Sequence, residues 1–217
     1  MTAQFIGLDL ETSGSDIDTG AVPIQLGIAT ITTEGNPAVF DSKIHWPVFH
    51  GPPAYDTVPT WSIEAEAVHN IPKEDLLLAP RTSVVESNAY GWLSRYAPAT
   101  SRAARIPVGW NIAGFDMPFV RRYLPGVQAG ISYRSIDLNA VCFSIGAAGI
   151  RSPLGGVWRF KGVKGFVKDL SGQKAEEATG RVAWHDAGFD ALAGLYAWHA
   201  LQAIIRHEDP RQMEFDV

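Results

Sequence analysis

The sequence contains one cysteine, Cys142, among its 217 residues. A single thiol can form neither an intramolecular disulfide nor a metal site built from several thiolates. Positive charge is also in short supply: 18 lysines and arginines stand against 23 aspartates and glutamates, so the formal net charge is −5. This balance argues against a protein that coats nucleic acid through bulk positive charge, but not against one that gathers carboxylates at one place.

Long apolar runs are missing as well, and none approaches the roughly 20 residues that a membrane-spanning helix needs. The first residues, 1–4, show no basic stretch followed by an apolar one, which is the pattern of a secretory signal. We therefore expect a cytoplasmic protein that does not contact membranes. With 46% hydrophobic residues there is ample material for a core, and we expect residues 1–217 to form a single domain.

The order of apolar segments and turn-forming clusters predicts a layered α/β or α+β domain. The first three strands follow one another closely and predict an antiparallel meander. A proline- and aromatic-rich segment at 45–61 is either a surface loop that packs its own side chains or a loop that faces a substrate. The predicted strands are 5–10, 23–32, 39–44, 106–110 and 133–137, and the predicted helices are 62–69, 82–97, 114–124, 138–145 and 188–207.

Two carboxylates, Asp9 and Glu11, stand two residues apart at the end of the first predicted strand. The two-residue period of a strand directs both side chains to the same face. Neighbouring carboxylates repel each other and lose hydration on burial unless a cation joins them, and Mg²⁺ or Mn²⁺ prefers such oxygen ligands. The alternative is a pair of solvated acids at a strand end.

A second acid, Asp116, follows the predicted strand that ends near Trp110 and Asn111. The Asn111 side chain can hold the turn by local hydrogen bonds. Phe115 and Phe119 lie four residues apart and anchor one face of the next helix, so Asp116 points to a more open face. Alternatively, Asp116 is an ordinary aspartate favoured by the helix dipole in a first turn.

The third feature is the segment from His185 to Asp190, directly before and within the last predicted helix. Histidine is the side chain that accepts a proton near neutral pH, so this segment places a base beside a candidate metal ligand. The simpler interpretation is that Asp186 caps the helix and Asp190 is a first-turn acid.

Taken in order, the three segments resemble the three motifs of the DEDDh exonucleases, the DnaQ-like branch of the ribonuclease-T-like superfamily. The first motif is Asp9 to Thr12, the second runs from Trp110 to Asp116, and the third is His185 to Asp190. The resemblance spans residues 9–190. It implies an α/β, ribonuclease-H-like fold: a mixed five-stranded sheet with three antiparallel strands, flanked by helices.

The resemblance further implies a metal-dependent 3′–5′ exonuclease that releases nucleoside monophosphates from single-stranded DNA ends. Two Mg²⁺ or Mn²⁺ ions would be held by four acids, and His185 would take the proton of the attacking water. Alternatives are a 3′–5′ exoribonuclease, a proofreading module with a polymerase partner, and a non-catalytic nucleic-acid-binding domain, which would have lost some of these residues. A homodimer is also open. The implied metal ligands are Asp9, Glu11, Asp116 and Asp190.

Contacts to the 3′ end of the substrate are expected from side chains near these motifs. Aromatic rings can stack a terminal base, although each is equally suited to packing in the core or a loop. A basic run from Arg151 to Lys168 either follows the phosphate backbone or belongs to a solvated loop. The candidate substrate contacts are Thr12, Gly14, Trp61, His69, Asn111 and Phe115.

Overall fold

Five strands form one mixed sheet in the described part of this computed structural model, which comprises residues 3–46, 59–152, 155–180 and 182–212. The strands are β1 (Gln4–Thr12), β2 (Pro23–Ile31), β3 (Pro37–Lys43), β4 (Arg105–Gly109) and β5 (Ile136–Asp137). The helices are α1 (Ile63–His69), α2 (Thr82–Tyr96), α3 (Asp116–Tyr123), α4 (Pro125–Gly130), α5 (Leu138–Ala147), α6 (Phe160–Thr179) and α7 (Ala187–Ile205).

The strand order in the sheet is β3-β2-β1-β4-β5. Strand β2 pairs antiparallel with both β1 and β3, whereas β4 runs parallel to β1 and β5 runs parallel to β4. The connections at 13–22 and 32–36 join the antiparallel strands without a crossover, and the parallel pairs need the helical crossovers that follow β3 and β4. This arrangement confirms the predicted α/β class, with a mixed five-stranded sheet whose first three strands are antiparallel.

Strand β1 lies in the centre of the sheet and buries both of its faces. On one face Ile6, Leu8 and Leu10 are at most 4% exposed and belong to the largest apolar cluster, which also includes side chains of α2 and α3. The other face carries Gly7, followed by Asp9 and Glu11. The core therefore fixes the register that turns both carboxylates to the opposite face.

Helix α7 lies directly on that second face because two strand positions have no side chain. A Cβ atom on Gly7 would lie 1.8 Å from the carbonyl oxygen of Ala191, and one on Gly27 would lie 1.8 Å from that of Ala187. Gly27 is also the β2 partner of Asp9. The close approach places the first turn of α7 beside the carboxylates of β1.

Helix α6 is the largest difference from the sequence-based prediction. The basic stretch up to Lys168 is not a solvated loop from Phe160 onward, because it forms the first half of this 20-residue helix. Two glycines, Gly162 and Gly165, weaken its helical signal. Packing overrides that weakness, since Val163 and Val167 are fully buried in a cluster shared with α5 and α7.

The other predicted elements match the structure within a few residues at their ends, whereas helix α4 was not predicted. Most of the predicted aromatic loop at 45–61 lies outside the described residues, which leave out 47–58. Within the residues described, no helix has both the length and the apolar character required to cross a membrane.

Candidate active site

An open cavity of about 610 Å³ lies where β1 and β4 end and α7 begins. Four of its acids come from β1, α3 and α7, and we call Asp9, Glu11, Asp116 and Asp190 the acidic floor; a fifth acid, Asp169, comes from α6. His185 stands beside them. The described residues that line the cavity are Asp9, Leu10, Glu11, Trp110, Asn111, Phe115, Asp116, Lys168, Asp169, Trp184, His185 and Asp190.

Asp116 joins the floor because β1 extends beyond its pairing with β4. The parallel pairing stops at Gly7 and Val108, after which the chain turns away through Asn111, a residue with a positive φ of 58°. The backbone N–H of Leu10 donates instead to Asp116 Oδ1 at 2.9 Å. A buried strand donor thus receives its acceptor from the first residue of α3, and Asp116 is only 2% exposed.

The start of α7 positions Asp190 through its own cap. The Asp186 side chain accepts from the N–H of Phe189 at 3.1 Å, which confirms the predicted capping role. His185 precedes this cap with a φ of 64°, a left-handed conformation that few non-glycine residues adopt. Its backbone N–H donates to Asp190 Oδ2 at 2.9 Å, so the turn that carries the imidazole also orients the carboxylate.

The floor is electrostatically strained when no cation is bound. Burial, followed by repulsion from the neighbouring carboxylates, raises the pKa of Asp9 well above its usual range. The same two causes raise the pKa of Glu11 to about 8. Burial raises the pKa of Asp116 to about 7 and that of Asp190 to about 6, although the N–H groups of Leu10 and His185 oppose these shifts. The four acids therefore do not all ionise together at neutral pH.

This donor set fits divalent cations. Ligand atoms of Glu11, His185 and Asp190 lie within 4.8 Å of one another. Asp190 Oδ1 is buried and has no hydrogen-bond partner among the described residues, so one carboxylate oxygen lacks the compensation that burial demands. A cation between the carboxylates would satisfy that oxygen and relieve the repulsion, and clustered carboxylate oxygens suit Mg²⁺ or Mn²⁺.

Two of the six candidate substrate contacts, Asn111 and Phe115, line the cavity. The other four are absent from its described lining and have partners elsewhere. The Thr12 hydroxyl donates to the carbonyl of Gly14 at 2.7 Å.

The remaining two candidates belong to an aromatic cluster beside α1. Trp61 donates its indole N–H to Glu66 Oε2 at 2.6 Å and packs edge-on against Trp46. His69 is 6% exposed, accepts from the N–H of Ile71 at 3.0 Å, and has a pKa lowered by burial. Packing therefore accounts for the Trp61 ring, whereas His69 Nε2 is buried and has no hydrogen-bond partner among the described residues.

The basic run that ends at Lys168 was recognised in the sequence, but its position in the wall of this cavity was not. There the ammonium of Lys168 lies 5.7 Å from the ring centre of Trp110 and 5.4 Å from that of Trp184. We call these three residues the basic wall. The spacing of the lysines at 161, 164 and 168 is compatible with a helix. The glycines at 162 and 165 concealed helix α6 in the sequence.

Comparison of the sequence with protein-family models and with curated proteins yields no match. The structure, in contrast, resembles solved nucleases. E. coli exonuclease I in complex with a dT13 oligonucleotide has a TM-score of 0.55 at 15% identity, over 93% of this chain and 41% of that chain. Cell-death related nuclease 4 (CRN-4) has a TM-score of 0.56 at 17% identity, over 94% and 64%.

A third similar structure is that of a 3′-exonuclease recognising the histone mRNA stem-loop, with a TM-score of 0.52 at 9% identity over 95% of this chain and 84% of that one. The present chain thus spans well under half of the exonuclease I chain. At these identities the likeness establishes the fold. The chain has the ribonuclease-H-like fold that the resemblance of its three motifs predicted.

Proposed function

We propose that this protein is a metal-dependent 3′–5′ exonuclease that removes nucleoside monophosphates from the ends of single nucleic-acid strands. The observation that carries the proposal is the acidic floor: four carboxylates and His185 surround one cavity in a ribonuclease-H-like fold. Its volume of about 610 Å³ lies in the range of sites for nucleotide-sized ligands. The similar structures of two exonucleases and of the nuclease CRN-4 support this proposal.

The four acids of the floor would hold two Mg²⁺ or Mn²⁺ ions. When bound, the pair activates a water molecule and stabilises the charge on the leaving 3′-oxygen. Asp9 is one of these ligands: burial and the neighbouring carboxylates of Asp116, Asp190 and Glu11 raise its pKa, so a bound cation would favour its ionised form.

His185 is our candidate for the general base. Its side chain offers a ring nitrogen within 4.8 Å of ligand oxygens of Glu11 and Asp190, which supports a role in taking a proton from water activated at these ligands. His185 is exposed to solvent, so a proton that it takes from water can pass on to the bulk solvent. The hydrogen bond from the His185 backbone N–H to the Asp190 carboxylate holds the candidate base and the candidate metal ligand in one turn.

Single-stranded DNA is the substrate that we favour, and RNA is the alternative. The exonuclease I structure contains a dT13 oligonucleotide, whereas the histone mRNA exonuclease acts on an RNA 3′ end. Asn111 and Phe115 are proposed to contact the terminal nucleotide from within the cavity. Thr12, Gly14, Trp61 and His69 stay predictions as substrate contacts.

The test is a time course with oligonucleotides of one sequence made as DNA and as RNA, single-stranded and duplex, each labelled at the 5′ end. We expect a ladder that shortens from the 3′ end in Mg²⁺ or Mn²⁺ and stops in EDTA. Faster shortening of RNA would select the exoribonuclease alternative, because only the 2′-hydroxyl differs consistently. Internal cleavage, or no cation-dependent shortening, would contradict the proposal.

Several further expectations stay predictions: one domain over residues 1–217, a cytoplasmic location, a homodimer and a polymerase partner. Light scattering of the purified protein measures the oligomeric state directly. A polymerase partner predicts co-purification with that enzyme and faster hydrolysis in its presence. Hydrolysis by the isolated chain at an undiminished rate would favour a self-standing enzyme.

A further inference from the structure

Lys168 occupies an unusual place beside the acidic floor. It projects from the first half of α6 into the wall of the cavity, partly buried, with its ammonium within 6 Å of the ring centres of both Trp110 and Trp184. Cations over indole faces are favourably placed, and two rings restrict the side chain more than one. The ammonium is thus held in position on the cavity wall.

The hydrogen-bonding capacity of this ammonium is unused. Within the described residues, Lys168 Nζ has neither a hydrogen-bond acceptor nor an ion-pair partner in range, although the group carries three donors. Its positive charge is close enough to the floor to oppose the rise in the pKa of Asp190. Lys164, one turn earlier, differs, since its Nζ donates to Asn139 Oδ1 at 2.7 Å. Lys164 Nζ also lies 5.6 Å from the centre of the Trp110 ring, so of the two lysines beside that ring Lys168 is the one without an acceptor among the described residues.

The partner with complementary chemistry is a phosphate of the substrate strand. The acidic floor repels a nucleic-acid strand through its own charge, and divalent cations bound there would repel an ammonium. A phosphodiester placed at the rim would face the cations on one side and the ammonium on the other. Such charge-assisted hydrogen bonds are among the strong ones.

We propose that Lys168 binds a phosphodiester of a single nucleic-acid strand at the rim of the acidic floor, with Trp110 and Trp184 holding its side chain in place. The assignment rests on the proposed function and adds a substrate-binding residue to it. It gives the wall a role in affinity, separate from the chemistry at the floor.

The experiment measures binding by fluorescence anisotropy of a labelled single strand, with Ca²⁺ in place of Mg²⁺ and the strand length checked afterwards. Lys168→Met keeps the aliphatic contacts to the rings but removes the charge. We expect a Kd weaker by roughly tenfold. We also expect the slope of log K against log salt to become less steep by about 0.7, the value for one phosphate contact on a single strand. Lys168→Arg should keep most of the affinity.

The matched control is Lys174→Met on the same helix. Lys174 pairs with Glu177 at 2.9 Å and is absent from the described lining of this cavity. It should therefore leave both Kd and the salt slope unchanged. If the two methionine variants weaken binding equally, the effect is one of net charge, and the proposal is wrong.

A second series locates the phosphate. Neutral methylphosphonates replace the phosphates of the last three linkages one at a time, and each strand is tested with wild type and Lys168→Met. At the contacted linkage the two proteins should bind equally, because the phosphate that Lys168 needs is gone. Equal tenfold differences at all three linkages would contradict the contact.

Failure of this inference is distinguishable from failure of the proposed function. Hydrolysis by the wild type in Mg²⁺, measured separately, tests the nuclease activity without reference to Lys168. A wild type that shortens strands while Lys168→Met retains the wild-type Kd and salt slope overturns only the role of Lys168. A wild type that binds no strand in Ca²⁺ also overturns it.

Discussion

The two sides of the cavity differ in charge, in origin and in what holds them together. The acidic floor combines carboxylates from β1, α3 and α7, fixed by backbone hydrogen bonds such as Leu10 to Asp116 at 2.9 Å. The basic wall is one lysine of α6 beside two indole rings. The floor is built to concentrate negative charge, and the wall presents a positive charge beside it. We infer that the floor sets the rate of hydrolysis and the wall sets affinity.

The largest expected effect is the loss of hydrolysis when carboxylates are removed from the floor. In Asp9→Ala/Glu11→Ala the cations lose the two ligands of β1, and hydrolysis should fall below detection. The assay is the shortening of labelled single strands in Mg²⁺. As a control, Asp18→Asn changes an exposed aspartate, 88% exposed in its side chain, and should keep wild-type rates. Activity retained in the double variant would disprove the metal-site assignment.

His185→Asn should lower turnover by roughly 10²–10⁴-fold, the usual contribution of a general base. The Kd for single strands should change less than turnover does, since the floor and wall stay intact. His207→Asn is the matched control, because His207 is also exposed and has a φ of 61°. Both values come from single-turnover rates and anisotropy. Turnover close to wild type in His185→Asn would remove this residue from the mechanism.

The floor should also make the metal-free protein less stable as the pH rises. Its acids have folded pKa values raised to about 8 for Glu11, 7 for Asp116 and 6 for Asp190, against roughly 4 in an unfolded chain. The folded state then holds more protons than the unfolded state between about pH 4 and 8, so stability is lost as the pH rises through this window.

Thermal melts in EDTA should therefore give a lower Tm at pH 8 than at pH 5. Saturating Mg²⁺ should raise the Tm more at pH 8, where the ligands ionise readily. Asp116→Asn should flatten the EDTA profile, which separates the floor from other titrating groups. A Tm in EDTA that rises steadily from pH 5 to 8 in wild type and variant alike would contradict this account.

The smallest effect is expected from the packing of the wall. A Cβ on Gly172 would lie 2.6 Å from the Trp184 ring, so Gly172→Ala should displace that ring and the turn carrying His185. We expect a loss of about 1–3 kcal/mol in the free energy of unfolding and a modest fall in turnover. Gly165→Ala, where a Cβ meets nothing within 4 Å, should stabilise the helix by up to about 1 kcal/mol. Denaturant unfolding of both variants measures the contrast, and equal effects would exclude a specific role for the Trp184 contact.

The contrast between floor and wall also explains which features could be predicted from the sequence. The floor acids belong to short motifs, and the two-residue period of β1 indicated that Asp9 and Glu11 share a face. The four acids come together because α7 closely approaches Gly7 and Gly27, and the sequence alone does not predict that approach. The motif resemblance supplied that long-range information.

The sequence showed Lys168 only as the end of a basic run, because its place beside two indole rings depends on tertiary packing. Helix α6 contains glycines where local propensity disfavours a helix, and burial of Val163 and Val167 compensates. Trp61 and His69 were candidate stacking residues; the Trp61 ring packs against those of Trp46 and His69, and contact of either residue with the substrate stays a prediction. An aromatic residue near a motif does not reveal from the sequence alone whether its ring faces a cavity or the core.

The most direct test of the central claim is the number of cations that the floor binds. Titration of Mn²⁺ into the EDTA-treated and dialysed protein, followed by calorimetry, should give two ions per chain and release of protons from the floor acids. Asp9→Asn should lose at least one of the two ions while keeping its fold by circular dichroism. No saturable Mn²⁺ binding by the wild type, or an unchanged stoichiometry and affinity in Asp9→Asn, would contradict the account.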